Sequence, residues 1–123
     1  DGLPAARGYV HPRLYGTFPR TLNAYTGPGK VLSRAEGVRR MTSAPAARFG
    51  LHDRGLIRPQ MYADLVVVDP GGPFDEATFE APRKYPTGVH AVLINGAFAW
   101  RHGQERSTPR GRLLVSQKVR RTT

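Results

Sequence analysis

The chain has 123 residues, 39% of them hydrophobic, and no cysteine, which excludes structural disulfides, thiolate zinc sites, iron–sulfur clusters and a cysteine nucleophile within it. Nineteen Lys and Arg against nine Asp and Glu give a formal net charge of +10, a field that attracts nucleic acid, anionic lipid or an acidic partner without selecting among them. Fourteen glycines and eleven prolines exclude an all-helical bundle, and no apolar run approaches the roughly 18 residues of a membrane span.

In chain order, residues 1–20 show neither a helical nor an alternating apolar period and read as a long loop, followed by a short helix over Thr21–Tyr25 that TGPG ends. The first firm element is SRAEGVRRMT, where Ser33 caps a helix start and Glu36 stands three residues on to reciprocate. Ala35, Val38 and Met41 share one face of it, so burial is expected there. SAPAARFG repeats the punctuation, with Ser43 as cap, Pro45 in the first turn and Gly50 closing in the left-handed conformation. Turns follow at Asp53-Arg54-Gly55 and Arg58-Pro59-Gln60.

The run ADLVVVD predicts a central strand over 65–68 covered on both faces. PFDEATFEAPRKYPTG is a proline-containing excursion pinned by Phe74, Phe79 and Tyr85. VHAVLINGAFAW predicts a hairpin, with strands near 89–94 and 97–101 and Asn95-Gly96 in the tight turn. A weak fourth strand is expected over 112–115. Three firm strands with one helix pair are few for this length, which suggests that part of the fold is supplied elsewhere.

The histidines His11, His52, His90 and His102 form no close ligand pair such as HxH or HExxH. Ser33 and Ser43 serve better as caps than as nucleophiles, there is no GxSxG elbow, and neither TGPGK nor DPGG has phosphate-loop spacing. Within HPRLYGTFPR, residues 11–20, Arg13 can fork two hydrogen bonds to a carboxylate beside an apolar wall of Tyr15 and Phe18, and Asp1 can accept a proton or hold metal-bound water. Each also has a plain reading, Asp1 as an exposed terminal residue and Arg13 as a solvated cation.

Taken together, DGLP at Asp1, HPRLYGTFPR, SAPAARFGLHDRGLIRPQMYADLVVVD over 43–69, ATFEAPRKYPTGVHAVLINGAFAW and a final PRGR resemble the C-terminal section of D-aminoacylases, the N-acyl-D-amino-acid deacylases of the amidohydrolase superfamily. The resemblance runs from residue 1 to about 114. It implies an α+β section comprising the end of a metal-dependent (β/α)8 barrel, residues 1–60, and the C-terminal strands of a small composite β-sandwich domain, residues 61–115, with a basic tail over 116–123. It implies that Asp1 ends the last barrel strand as catalytic proton carrier at the zinc site, that Arg13 engages the substrate carboxylate, and that His11 and Tyr15 shape that loop. Two departures stand out: Gln60 where the family usually has glycine, and the spacing of HGQERSTPRGR.

The resulting expectation is hydrolysis of N-acyl-D-amino acids to a carboxylate and a free D-amino acid, with Zn2+ in the whole enzyme, none held by these residues alone, and no activity from them alone. The missing N-terminal barrel is the expected partner, with self-association through exposed strand edges, no specific nucleic acid, no membrane and a cytoplasmic location. The competing reading is a noncatalytic basic β-rich module that binds an acidic partner through Arg101 to Arg121, where the positive excess is concentrated.

Overall fold

A computed structural model describes residues 8–105 and 110–114. Its first difference from the sequence reading is at the start: a helix, α1, spans Arg13–Tyr25 where a loop and a short terminal helix are predicted. Pro12 stands at the N-cap with φ −52°, already helical, and Pro19 lies inside the helix, where its missing amide leaves the Tyr15 carbonyl without its usual donor. Tertiary anchors hold the helix despite this. The Arg20 guanidinium donates to Asp75 at 2.8 Å, and the Asn23 amide donates to the Pro73 carbonyl. The buried stripe is Pro12, Gly16, Pro19 and a half-buried Asn23, which has helical spacing but is not apolar in the ordinary sense.

Helix α2, Arg34–Met41, begins as predicted, with the Glu36 amide donating to Ser33 Oγ at 3.1 Å. Its buried position, however, is Gly37, while Ala35 and Val38 are exposed. Gly37 lies against Thr26 so closely that a Cβ there would come within 2.2 Å of Thr26 Cγ2. Helix α3, Ser43–Arg48, follows after the expected break, but Thr42 rather than Ser43 is its N-cap, and the Thr42 hydroxyl donates back to the Val38 carbonyl at 2.7 Å. Gly50, at φ +69°, closes the helix as predicted, its amide on Ala47 and that of Leu51 on Ala46.

Strands β1, Leu65–Val68, β2, Val89–Ile94, β3, Ala97–Arg101, and β4, Gln104–Glu105, form one sheet in the order β1-β2-β3-β4, with β2, β3 and β4 antiparallel. The hairpin matches its prediction: Ile94 pairs with Ala97 across Asn95, φ 51°, and Gly96, φ 82°. Two expectations fail. Strand β1 is an edge rather than a centre, with Val66 61% and Val67 47% exposed, because only β2 lies beside it among the described residues. The fourth strand is at 104–105, where a turn at His102 and Gly103 folds the chain back on β3; residues 112–114 are irregular, and Val115 lies outside the described residues.

The chain divides into two units, Asp1–Gly37 with Val68–Val89, and Val38–Val67 with His90–Thr123. In the first, Val10 and Ala77 are the buried apolar residues; in the second, Ala46 and Ala91. Among the described residues no large side chain is fully buried, and Tyr9, Phe18, Ile57, Phe79 and Tyr85 are exposed. No helix among the described residues is long and apolar enough to cross a membrane.

Candidate functional site

The segment that carries most of the predicted site residues is the turn into α1. A helix start leaves its first amides without intrahelical acceptors. Here Pro12 has no side-chain acceptor to offer, and His11 takes that role: its Nδ1 accepts from the Arg13 amide at 3.1 Å and its carbonyl from the Leu14 amide at 3.0 Å. The Pro12 carbonyl then accepts from Tyr15 and Gly16, both at 3.0 Å. Arg13 is thus the first helical residue. Its side chain is exposed, and among the described residues no carboxylate pairs with its guanidinium.

A second segment of the same unit docks on this turn. The Tyr9 hydroxyl donates to the Phe79 carbonyl, and the Arg83 guanidinium donates to the Gly8 carbonyl at 3.1 Å. The His11 ring meets Phe79 edge to face, with centroids 5.1 Å apart and planes at 76°, and Tyr15 meets Tyr85 at 5.4 Å and 80°. Of the three residues expected to pin this excursion, Phe79 and Tyr85 make ring contacts, whereas Phe74 is tied through its backbone to Thr87 and its side chain is exposed. Asp75 at its base accepts from the Ala77 amide at 3.0 Å as well as from Arg20.

The structure thus brings His11, Arg13 and Tyr15 to one helix start with Phe79 and Tyr85 beside them. Asp1, the predicted proton carrier and metal-site residue, lies outside the described residues. Among the described residues no three His, Asp or Glu side chains gather in a way that could hold a metal ion. His11 is in one unit and His52, His90 and His102 in the other, each with an exposed side chain. What the segment offers chemically is an exposed guanidinium at a helix start, a group suited to a carboxylate, with the His11–Phe79 and Tyr15–Tyr85 ring pairs on the same turn.

The sequence reading missed a polar node in the second unit. Arg54, its side chain only 9% exposed, donates to Asp64, to Asp53 Oδ1 at 3.3 Å and to Asn95 Oδ1 at 3.4 Å. Asp64 in turn accepts from the Asn95 amide at 2.7 Å, and the Asn95 side chain donates to the Arg110 carbonyl at 2.7 Å. Arg54 and Arg112 each stack over the Tyr62 ring, at 4.7 and 4.1 Å. Both turn signals, DRG and NG, are visible in the sequence; their tie through Asp64 is not.

Residues 7–99 match the sequence profile of the amidohydrolase family. A D-aminoacylase of Alcaligenes xylosoxydans xylosoxydans is 43% identical over 115 residues, 94% of this chain and 24% of the relative. A crystal structure of D-aminoacylase superposes with a TM-score of 0.87 at 43% identity, over 94% of this chain and 24% of that one. The N-acyl-D-glutamate deacylase of Bordetella bronchiseptica, solved with zinc and a phosphonate mimic of the tetrahedral intermediate, gives a TM-score of 0.65 at 32% identity, over 77% and 20%. The chain spans about a quarter of the length of the relatives it matches.

Proposed function

Because the chain belongs to the amidohydrolase family, we propose that it serves as the C-terminal section of a zinc-dependent N-acyl-D-amino-acid deacylase. The supporting observation is that 94% of it aligns with D-aminoacylase at 43% identity and a TM-score of 0.87. On this reading residues 1–60 end the barrel, 61–115 contribute to a small composite β-sandwich, and 116–123 form a basic tail. The exposed valines of β1 and the many exposed large apolar side chains are consistent with surfaces that the preceding three quarters of such an enzyme would cover. Without that section, the β1 edge pairs with a second copy.

In the proposed reaction water's oxygen is added to the acyl carbon, the amide C–N bond breaks, and the nitrogen leaves with a proton as the free D-amino acid. Asp1 accepts the proton and returns it to the leaving nitrogen. Arg13 holds the α-carboxylate through charge-assisted hydrogen bonds, which fixes the scissile bond relative to Asp1. His11 and Tyr15 shape the loop around it. The described residues do not gather the side chains a metal needs, so zinc is assigned to side chains outside them.

The test joins this chain to the N-terminal three quarters of the Alcaligenes D-aminoacylase in place of the matching section. Zinc-loaded, folded chimera should release free amino acid from N-acyl-D but not N-acyl-L substrates. Asp1→Ala should abolish turnover, and Arg13→Ala should raise KM by about 100-fold, the loss of a charged hydrogen-bonding partner worth about 3 kcal/mol. A folded chimera whose KM is indifferent to Arg13→Ala would refute the assignment of Arg13, and turnover undiminished by Asp1→Ala would refute that of Asp1.

A further inference from the structure

The hydrogen bond between His11 and the Arg13 amide determines the protonation pattern of the imidazole. A backbone N–H can only donate, so Nδ1 must present its lone pair, and in the neutral ring the proton then sits on Nε2. The ring is held in that direction by the Phe79 edge contact, and Phe79 is itself tied down by the Tyr9 hydroxyl on its carbonyl. The arrangement reproduces, with an imidazole, the bond an asparagine side chain makes to the amide two residues on. Because Pro12 provides no cap, His11 is the only described residue that satisfies the first two amides of α1.

We infer that His11 is a positioning residue for Arg13: with its ring oriented by Phe79 and its Nδ1 lone pair on the Arg13 amide, it caps α1 and so determines where the helix starts and where the Arg13 guanidinium emerges. His11 in this account need not touch substrate. The inference rests on the proposed role of Arg13 only for its consequence in turnover; the cap itself is independent of that role.

The first test therefore uses the 123-residue chain and no substrate. Two-dimensional 15N–1H spectra of the histidine side chains should show His11 as the Nε2–H tautomer, and hydrogen exchange at the Arg13 amide should be slowed. His11→Ala should speed that exchange by about tenfold, the worth of one cap, whereas His11→Asn, which can make the same bond, should keep it within about threefold. In the chimera, His11→Ala should raise KM by about tenfold with a smaller change in kcat, and His11→Asn should restore it. An Nδ1–H tautomer, or Arg13 exchange equal in the alanine and asparagine variants, overturns the inference. If Arg13→Ala leaves KM unchanged while the spectra and exchange come out as stated, the carboxylate role fails and the cap stands.

Discussion

Replacing Gly16 by alanine separates helix propensity from packing, because the two predict opposite signs. In an unconstrained helix interior the change stabilises by about 1 kcal/mol. In α1 a Cβ at this position would lie 2.1 Å from Asp75 Oδ1 and 2.4 Å from Asp75 Cγ, so the carboxylate must leave. Asp75 cannot leave without cost, since it accepts from the Ala77 amide and from Arg20. Losing a hydrogen bond to a charged group costs about 1.5 to 3 kcal/mol; the Arg20 pair adds at most about 1 kcal/mol, because Arg20 is 63% exposed. The net expectation for Gly16→Ala is destabilisation by about 0.5 to 3 kcal/mol, read from urea unfolding of the full chain. In an Asp75→Ala background the same substitution should stabilise by up to about 1 kcal/mol. A Gly16→Ala variant that is neutral or stabilised in the parent background would refute the packing argument.

Three further outcomes follow from the structure. Arg54→Met should destabilise by about 2 kcal/mol in urea unfolding, because it strips Asp64 and Asn95 of a partner that is itself buried. Gln60→Gly should stabilise by about 0.5 to 1 kcal/mol in the same assay, since Gln60 holds φ at 68°, a conformation that strains a side chain and suits glycine. On the proposed pairing of β1 edges between copies, Val66→Lys, which puts a charge on the exposed strand, should lower the proportion of dimer in analytical ultracentrifugation; a chain that is monomeric before the substitution would refute that pairing.

Elements legible in the sequence are those whose signal is local. Ser33 caps because its hydroxyl is three residues from the Glu36 amide, and Asn95-Gly96 turns because both residues tolerate positive φ. The run LVVV gave the right strand but the wrong place in the sheet, because continuous apolar residues mark a strand that is covered, not which segment covers it; only β2 lies beside it among the described residues. Helix α1 escaped notice because its buried stripe is written in proline, glycine and asparagine. Those residues read as loop signals unless Asp75 and the Pro73 carbonyl, some fifty residues on, are already known to lie against them.

The same distinction governs the candidate site. HPRLYGTFPR carries the identities of His11, Arg13 and Tyr15, but the direction of the His11 ring depends on Phe79, and no spacing in the sequence links the two. Glycine makes the division plainest. Gly50 and Gly96 are needed for φ, so a helix end and an Asn-Gly pair announce them. Gly16 and Gly37 sit in ordinary helical backbone and are needed for room, against Asp75 and Thr26. A requirement for φ is written in the neighbours along the chain, whereas a requirement for room is written in whatever folds back onto it, so the first can be read from a sequence and the second waits for the partner to be placed.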